Sequence, residues 1–259
     1  MSAGAGGELT RDGLLGGRVV LEQPRRGYRA ATDPVFLAAA VPAVAGERVL
    51  DLGCGAGAAA LCLAARVPGL GLHGLELQPD FAELARRNAT ANGVALTVHL
   101  GDVAAMPRAL RALHFDHVIT NPPFFAAGQG TGPADPGRHR AEREGAVTLA
   151  SWIAAGLRRL RPGGLFTLIQ RTERLPEILA ALSGPAGGVT LQPLAARRDR
   201  PAGRVIVQAR KGSRAPLRLN PPFVIHDAVR HLKDSEDYTL AAIAVLRECA
   251  QIPINLDAK

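Results

Sequence analysis

Short apolar runs alternate with stretches of helical spacing along most of this chain, a pattern that predicts βα units and a mainly parallel sheet. Arg48–Leu52 (RVLDL) reads as the first strand, and the small-residue stretch Ala58–Arg66 as the helix behind it. Leu70–Glu76 is a second strand. Pro79 opens the next helix, where its missing N–H does no harm, and Asn92-Gly93 ends it. Leu96–Leu100 and Phe115–Thr120 are the third and fourth strands. An amphipathic helix over Leu149–Leu160 turns at Pro162-Gly163-Gly164 into the strand Leu165–Gln170. A helix over Leu175–Leu182, strands over Val189–Leu194 and Arg204–Ala209, and a closing helix near Tyr238–Cys249 complete the series.

Between the first strand and its helix stands Asp51-Leu52-Gly53-Cys54-Gly55-Ala56-Gly57. Glycines this dense after a buried strand let a ligand lie against bare backbone, and a helix N-terminus faces the same crevice. Open α/β sheets bind ligands at this place. Gly53, Gly55 and Ala58 also match the G-x-G-x-x-A spacing of dinucleotide sites, and Glu76 would grip ribose hydroxyls in either case. Asp51 separates the readings. It can meet the positive amino-acid portion of S-adenosylmethionine, whereas a dinucleotide would bring a negative pyrophosphate there. Asp102, after the third strand, can accept from an adenine amine or simply form a Gly-Asp turn.

Asn121-Pro122-Pro123-Phe124 follows the fourth strand, beside the expected crevice. Two prolines fix the backbone and remove two N–H donors. The Asn121 amide oxygen and the Pro122 carbonyl can then both accept from one –NH₂ group, and Phe124 offers a flat face to a planar base or amide. An exocyclic amine is a poor nucleophile because its lone pair delocalises into the ring. Two acceptors favour a pyramidal nitrogen whose lone pair can aim at a sulfonium methyl. Alignment and fixed dipoles supply most of the rate, without a metal or a strong base. The same letters recur at Asn220-Pro221-Pro222-Phe223, after the last strand, where a plain turn in a C-terminal appendage is expected.

Asp51–Gly57 together with Asn121–Phe124 resemble the N6-adenine and related amino-methyltransferases. The runs Gln23–Ala38 and Pro201–Gly212, with Tyr238-Thr239 beyond, narrow the likeness to the tRNA(Val) adenine-N6-methyltransferase-like family, from Leu14 to Glu248. That resemblance implies a Rossmann-like class I methyltransferase fold: a seven-stranded, mostly parallel sheet with helices on both faces and small N- and C-terminal additions. It implies S-adenosylmethionine as cofactor, held by Asp33, Asp51, Gly53, Gly55, Gly57, Glu76 and Asp102. Asn121, Pro122, Pro123 and Phe124 would hold the target amine, on an adenine of RNA and specifically of tRNA. The family carries Tyr or Phe at the fourth motif position, so Phe124 is acceptable. The expected layout is a disordered tail over 1–13, a segment over 14–46 covering the cofactor pocket, a methyltransferase domain over 47–212, and an appendage over 213–259 packed on it.

Composition adds partners and exclusions. With 47% hydrophobic residues, 259 residues can bury one substantial core. No uninterrupted apolar run is long enough to suggest a membrane span, and no secretory leader is apparent. Cys54, Cys62 and Cys249 are too sparse for a disulfide framework, which suits a reducing, cytoplasmic compartment. Neither they nor His139, His226 and His231 show metal-ligand spacing, so no metal is expected. Cys54 reads as a small filler and Trp152 as core. The net charge of +8, carried almost entirely by Arg, suggests a polyanionic partner. Arg138, Arg140 and Arg143, in the loop after the Asn-Pro-Pro turn, are the foremost candidates for RNA phosphate. Arg197, Arg198, Arg200 and Arg204 form a second cluster. Tyr28 could stack on a ligand and Arg29 meet phosphate. The competing functions are a protein glutamine-amide N-methyltransferase, a non-catalytic RNA-binding relic and a dinucleotide oxidoreductase. The intact Asp51, Glu76 and Asn121 count against the relic, and Asp51 and Asn121 against the oxidoreductase.

Overall fold

The computed structural model describes residues 8–26, 29–123, 147–227 and 237–254. A hairpin of β1 (Leu9–Leu14) and β2 (Val19–Pro24) leads into α1 (Asp33–Ala40). Then follow β3 (Arg48–Leu52), α2 (Ala58–Arg66), β4 (Gly71–Glu76), α3 (Pro79–Ala91), β5 (Leu96–Leu100), the short α4 (Arg108–Arg111) and β6 (Phe115–Thr120). The second half runs α5 (Leu149–Arg159), β7 (Leu160–Arg171), α6 (Leu175–Leu182), β8 (Ala186–Ala195) and β9 (Arg204–Lys211). It closes with the two-residue strands β10 (Arg218–Leu219) and β11 (Phe223–Val224) and with α7 (Leu240–Glu248).

The large sheet runs β10-β8-β9-β7-β6-β3-β4-β5, and β11 also pairs with β8. β7, β6, β3, β4 and β5 are mutually parallel, while β9 is antiparallel to both β7 and β8. All seven expected strands are present, and β10 and β11 extend the edge. β3 is buried on both faces, Val49 joining one apolar layer and Leu50 and Leu52 the other, as a covered parallel sheet requires. One apolar cluster joins α1, α2 and α3 to one face; a second joins α4, α5 and α6 to the other. This is the Rossmann-like architecture of the sequence reading.

Local chemistry sets the element ends. α3 stops where Gly93 takes φ +64° and the Val94 N–H reaches back to the Ala89 carbonyl at 2.9 Å. Thr148 caps α5 by accepting from the Ser151 N–H at 3.1 Å. β7 begins earlier than expected, at Leu160, because Pro162-Gly163-Gly164 form an irregularity within its ladder to β6.

The N-terminal expectation needs correction. Residues 9–13, assigned to a disordered tail, form β1 together with Leu14. Their sequence, LTRDGL, lacks a clean alternation, so periodicity could not reveal a strand held by its partner. The hairpin is tied to the main domain by Asn88 of α3. Its amide oxygen accepts from Glu22 N–H at 2.8 Å, and its nitrogen donates to the Glu22 and Ala56 carbonyls at 3.0 Å each.

Candidate active site

Parallel strands deliver their C-terminal ends to one edge, and two chemically marked turns meet there. β3 runs into the glycine turn and its neighbour β6 runs into Asn121-Pro122-Pro123, with Asp51 opposite Ile119 in the register. At ordinary strand spacing and rise this puts the Asp51 and Asn121 backbones about 8 Å apart.

The glycine turn is pinned by its neighbour: Gly53 and Cys54 N–H groups both donate to the Leu75 carbonyl, at 2.8 and 3.0 Å. Gly53, Gly55 and Gly57 hold φ of +76°, +53° and +90°, which L side chains resist. Gly57, just before α2, gives it no side-chain cap, and the Ala60 N–H of its first turn is taken by the Asp51 carboxylate. Glu76, at the end of β4, accepts from the Gly55 and Gln78 N–H groups at 2.9 Å each. Burial raises its pKa, while the N–H groups of Gln78, Gly55 and Leu77 pull it back.

Among the described residues, two buried acceptors at this edge have no hydrogen-bond partner: Asp51 Oδ2 and Asn121 Oδ1. A buried polar atom left alone is costly, so such atoms point to a ligand that completes them. Burial pushes the Asp51 carboxyl up to about 7; the Ala60 N–H opposes the shift and the Glu76 charge adds to it. A bound ammonium group would restore the charged form, and the amino-acid end of S-adenosylmethionine supplies one. Asn121 Oδ1 is placed to accept from an N–H instead.

Beside it, the Pro122 carbonyl accepts from Gln170 Nε2 at 3.3 Å, and the Gln170 amide oxygen accepts from Arg171 N–H at 2.9 Å. Gln170 is wholly buried at the end of β7 and escaped the sequence reading; its only signal was a polar residue closing an apolar strand. The second Asn-Pro-Pro-Phe copy is a control. Asn220 donates to Gln192 Oε1 at 3.0 Å, and Gln192 donates to the Pro221 carbonyl at 2.9 Å. That copy spans β10 and β11 on β8, at the far edge of the sheet, and its Asn is engaged.

The other candidates divide. Asp102 Oδ1 accepts from Ala104 N–H at 2.8 Å, the geometry of a Gly-Asp turn. Asp33, at the start of α1, pairs with Arg204 at 3.1 Å; Arg204 lies opposite Arg171 in the β7–β9 register, so both belong to the same edge. The Arg29 guanidinium pairs with Asp12 at 2.7 Å and donates to Thr10 and the Pro24 carbonyl. These contacts brace the hairpin. The acid partner of Arg29 was assigned to the tail, so the pair was invisible in sequence. Tyr28, Phe124, Arg138, Arg140 and Arg143 lie outside the described residues. Cys54 is the filler expected: a Cβ on Gly74 would come within 2.7 Å of its sulfur. Burial, then the charges of Asp51 and Glu76, drives its thiol well above the usual range and keeps it protonated.

A separate cleft of about 410 Å³ opens at the opposite end of the strands, lined by Glu47, Asp116, His117 and Arg161 among others. Its charges largely serve one another, with Arg161–Asp116 at 2.7 Å and His117–Glu47 at 2.9 Å. Among the described residues no group of three or more side chains is arranged to hold a metal ion, and no helix is long and apolar enough to cross a membrane.

Comparison with known proteins bears on the fold and the family. The methyltransferase small domain description matches residues 32–186. A tRNA1(Val) (adenine(37)-N6)-methyltransferase from Aeromonas hydrophila is 31% identical over 194 residues, covering 74% of this chain and 80% of that protein. Among solved structures, a predicted O-methyltransferase from Agrobacterium tumefaciens aligns with TM-score 0.68 and 28% identity, covering 85% of this chain and 98% of that one. The 16S rRNA N2 G1207 methyltransferase of T. thermophilus, solved with AdoMet and guanosine, shares the fold: TM-score 0.56, 22% identity, 79% of this chain and 50% of that one. Fold and relatives together define a class I methyltransferase that uses S-adenosylmethionine. The chain belongs to the methyltransferase small domain family.

Proposed function

We propose that this protein transfers a methyl group from S-adenosylmethionine to the exocyclic N6 amine of an adenine in RNA, with tRNA as the polymer. The carrying observation is the partnerless, buried Asn121 Oδ1 at the end of β6, one strand away from the partnerless Asp51 Oδ2. The donor supplies a methyl group on a sulfonium, an electrophile that needs no metal. Asp51 receives the donor's ammonium, Glu76 its ribose hydroxyls, and the Gly53–Gly57 backbone lies along it. Asp33 and Asp102 flank this pocket.

Asn121 Oδ1 and the Pro122 carbonyl accept the two hydrogens of the target amine. Pro122 and Pro123 hold those acceptors in a stiff turn, and Phe124 would offer its flat face to the base. Fixing the amine's hydrogens turns its lone pair toward the methyl, so the chain's contribution is alignment and preorganised dipoles. The proton leaves after the nitrogen has become positive. The adenine-N6 activity named for the Aeromonas relative and the net charge of +8 both support an RNA acceptor. Arg138, Arg140 and Arg143, after the Asn-Pro-Pro turn, would meet its phosphates.

The test is to incubate the protein with methyl-labelled donor, unmodified tRNA and a protein extract, then digest and locate the label. N6-methyladenosine is the expected product. Label on a glutamine amide would replace the acceptor while keeping the site; label on ribose or another base would refute the reading.

A further inference from the structure

We infer that Trp152 is a positioning residue of the donor crevice, acting through Thr120 and Gly53; this rests on the crevice as read above. Trp152 is the chain's single tryptophan and stands on the first turn of α5. Its indole N–H donates to Thr120 Oγ1 at 2.9 Å. That hydroxyl, wholly buried, donates onward to the Leu52 carbonyl at 2.7 Å. The relay joins the residue just before Asn121 to the residue just before the glycine turn. The indole also lies directly over that turn: a Cβ on Gly53 would stand 2.7 Å from Trp152 Cζ2 and 3.0 Å from Cη2. One side chain therefore sets both the floor beside Gly53 and the end of the strand that presents Asn121.

Core packing alone does not ask for this arrangement. The side chains that α5 gives to the core, Leu149, Ile153, Ala155 and Leu157, are aliphatic and buried. Trp152 is only half-buried, yet its one polar atom is matched to a hydroxyl whose hydrogen is already committed to Leu52. A Leu or Phe would have provided the apolar area without the N–H.

The consequence is that donor binding and Trp152 report on each other. Titrating the intact protein with S-adenosylmethionine should change its tryptophan emission, with a midpoint equal to the donor Kd from calorimetry. Trp152→Phe keeps a ring but loses the N–H, and Thr120→Val loses the hydroxyl. Each should weaken donor binding by roughly threefold to tenfold, the worth of one such bond. Thr120→Ser keeps the hydroxyl and should stay within about twofold of the parent. The double variant Trp152→Phe/Thr120→Val should bind no worse than the weaker single, because both break one relay. Emission unmoved at saturating donor, Thr120→Ser as impaired as Thr120→Val, or additive losses would each overturn the inference while leaving the donor site standing. Failure of the parent protein to bind donor by calorimetry would instead bring down the crevice reading and this inference with it.

Discussion

At the scale of single residues, Asp51 ties binding to pH. Its carboxyl is raised to about 7, chiefly by burial. A raised folded-state pKa means that its stabilising effect is complete below the unfolded value and is lost as pH rises through about 7. The donor-free protein should therefore lose stability toward alkaline pH from this group, while the donor's ammonium needs the ionised carboxylate. Donor affinity should rise between about pH 5.5 and 7.5, with the protein gaining more thermal protection from donor at the upper end. Asp51→Asn should flatten that rise, weaken donor binding by at least about tenfold and stabilise the donor-free protein at pH 8. Calorimetric titration and melting curves across pH check both signs; an unchanged pH profile in Asp51→Asn would exclude Asp51 as the ammonium's partner.

At the scale of elements, the hairpin and α3 brace the glycine turn from outside the sheet. Asn88 is fully buried and serves both, through Glu22 and the Ala56 carbonyl. Asn88→Ala leaves three backbone groups without this partner, the buried Ala56 carbonyl and the part-buried Glu22 N–H and carbonyl, so unfolding in urea should show a loss of about 2–4 kcal/mol. Proteolysis should open the hairpin before the sheet; a loss below about 0.5 kcal/mol would mean the hairpin is held elsewhere. What the sequence could tell follows the same division. β3 through β6 were readable because each is a short run with recurring Leu, Val or Ile, closed at once by Gly or Asn in β3, β5 and β6, and the two site turns are local features of those ends. Asn88, Gln170 and the Trp152–Thr120 pair were not readable, because each acts on a partner far along the chain and looks locally like an ordinary helix or strand residue. For Arg29 the charge was legible and its partner Asp12 was not.

At the scale of the whole molecule, the excess of positive charge is distributed selectively at the site's edge. Between β8 and the start of β9, Arg197 in the loop and Arg204 at the first position of β9 are held by Asp237 and Asp33, while Arg198 and Arg200 in the loop stand exposed. The loop shares the edge where β7 ends, since Thr172 donates to the Ala202 carbonyl at 2.8 Å. On the RNA reading, log affinity should fall linearly with log salt, and replacing both Arg198 and Arg200 by Ala should lower that slope by about 1–2. Filter binding of tRNA over a salt series measures it; an unchanged slope would remove this loop from the footprint. The remaining question is whether Asn121 acts on the acceptor and not on the donor, and one variant answers it. For Asn121→Ala, donor Kd and single-turnover methyl transfer to tRNA should be measured in the same preparation. Losing one of two preorganised acceptors predicts transfer reduced by about 100-fold or more, with donor Kd changed by less than about threefold. Transfer that survives, or a donor Kd that collapses in step with it, would contradict the account.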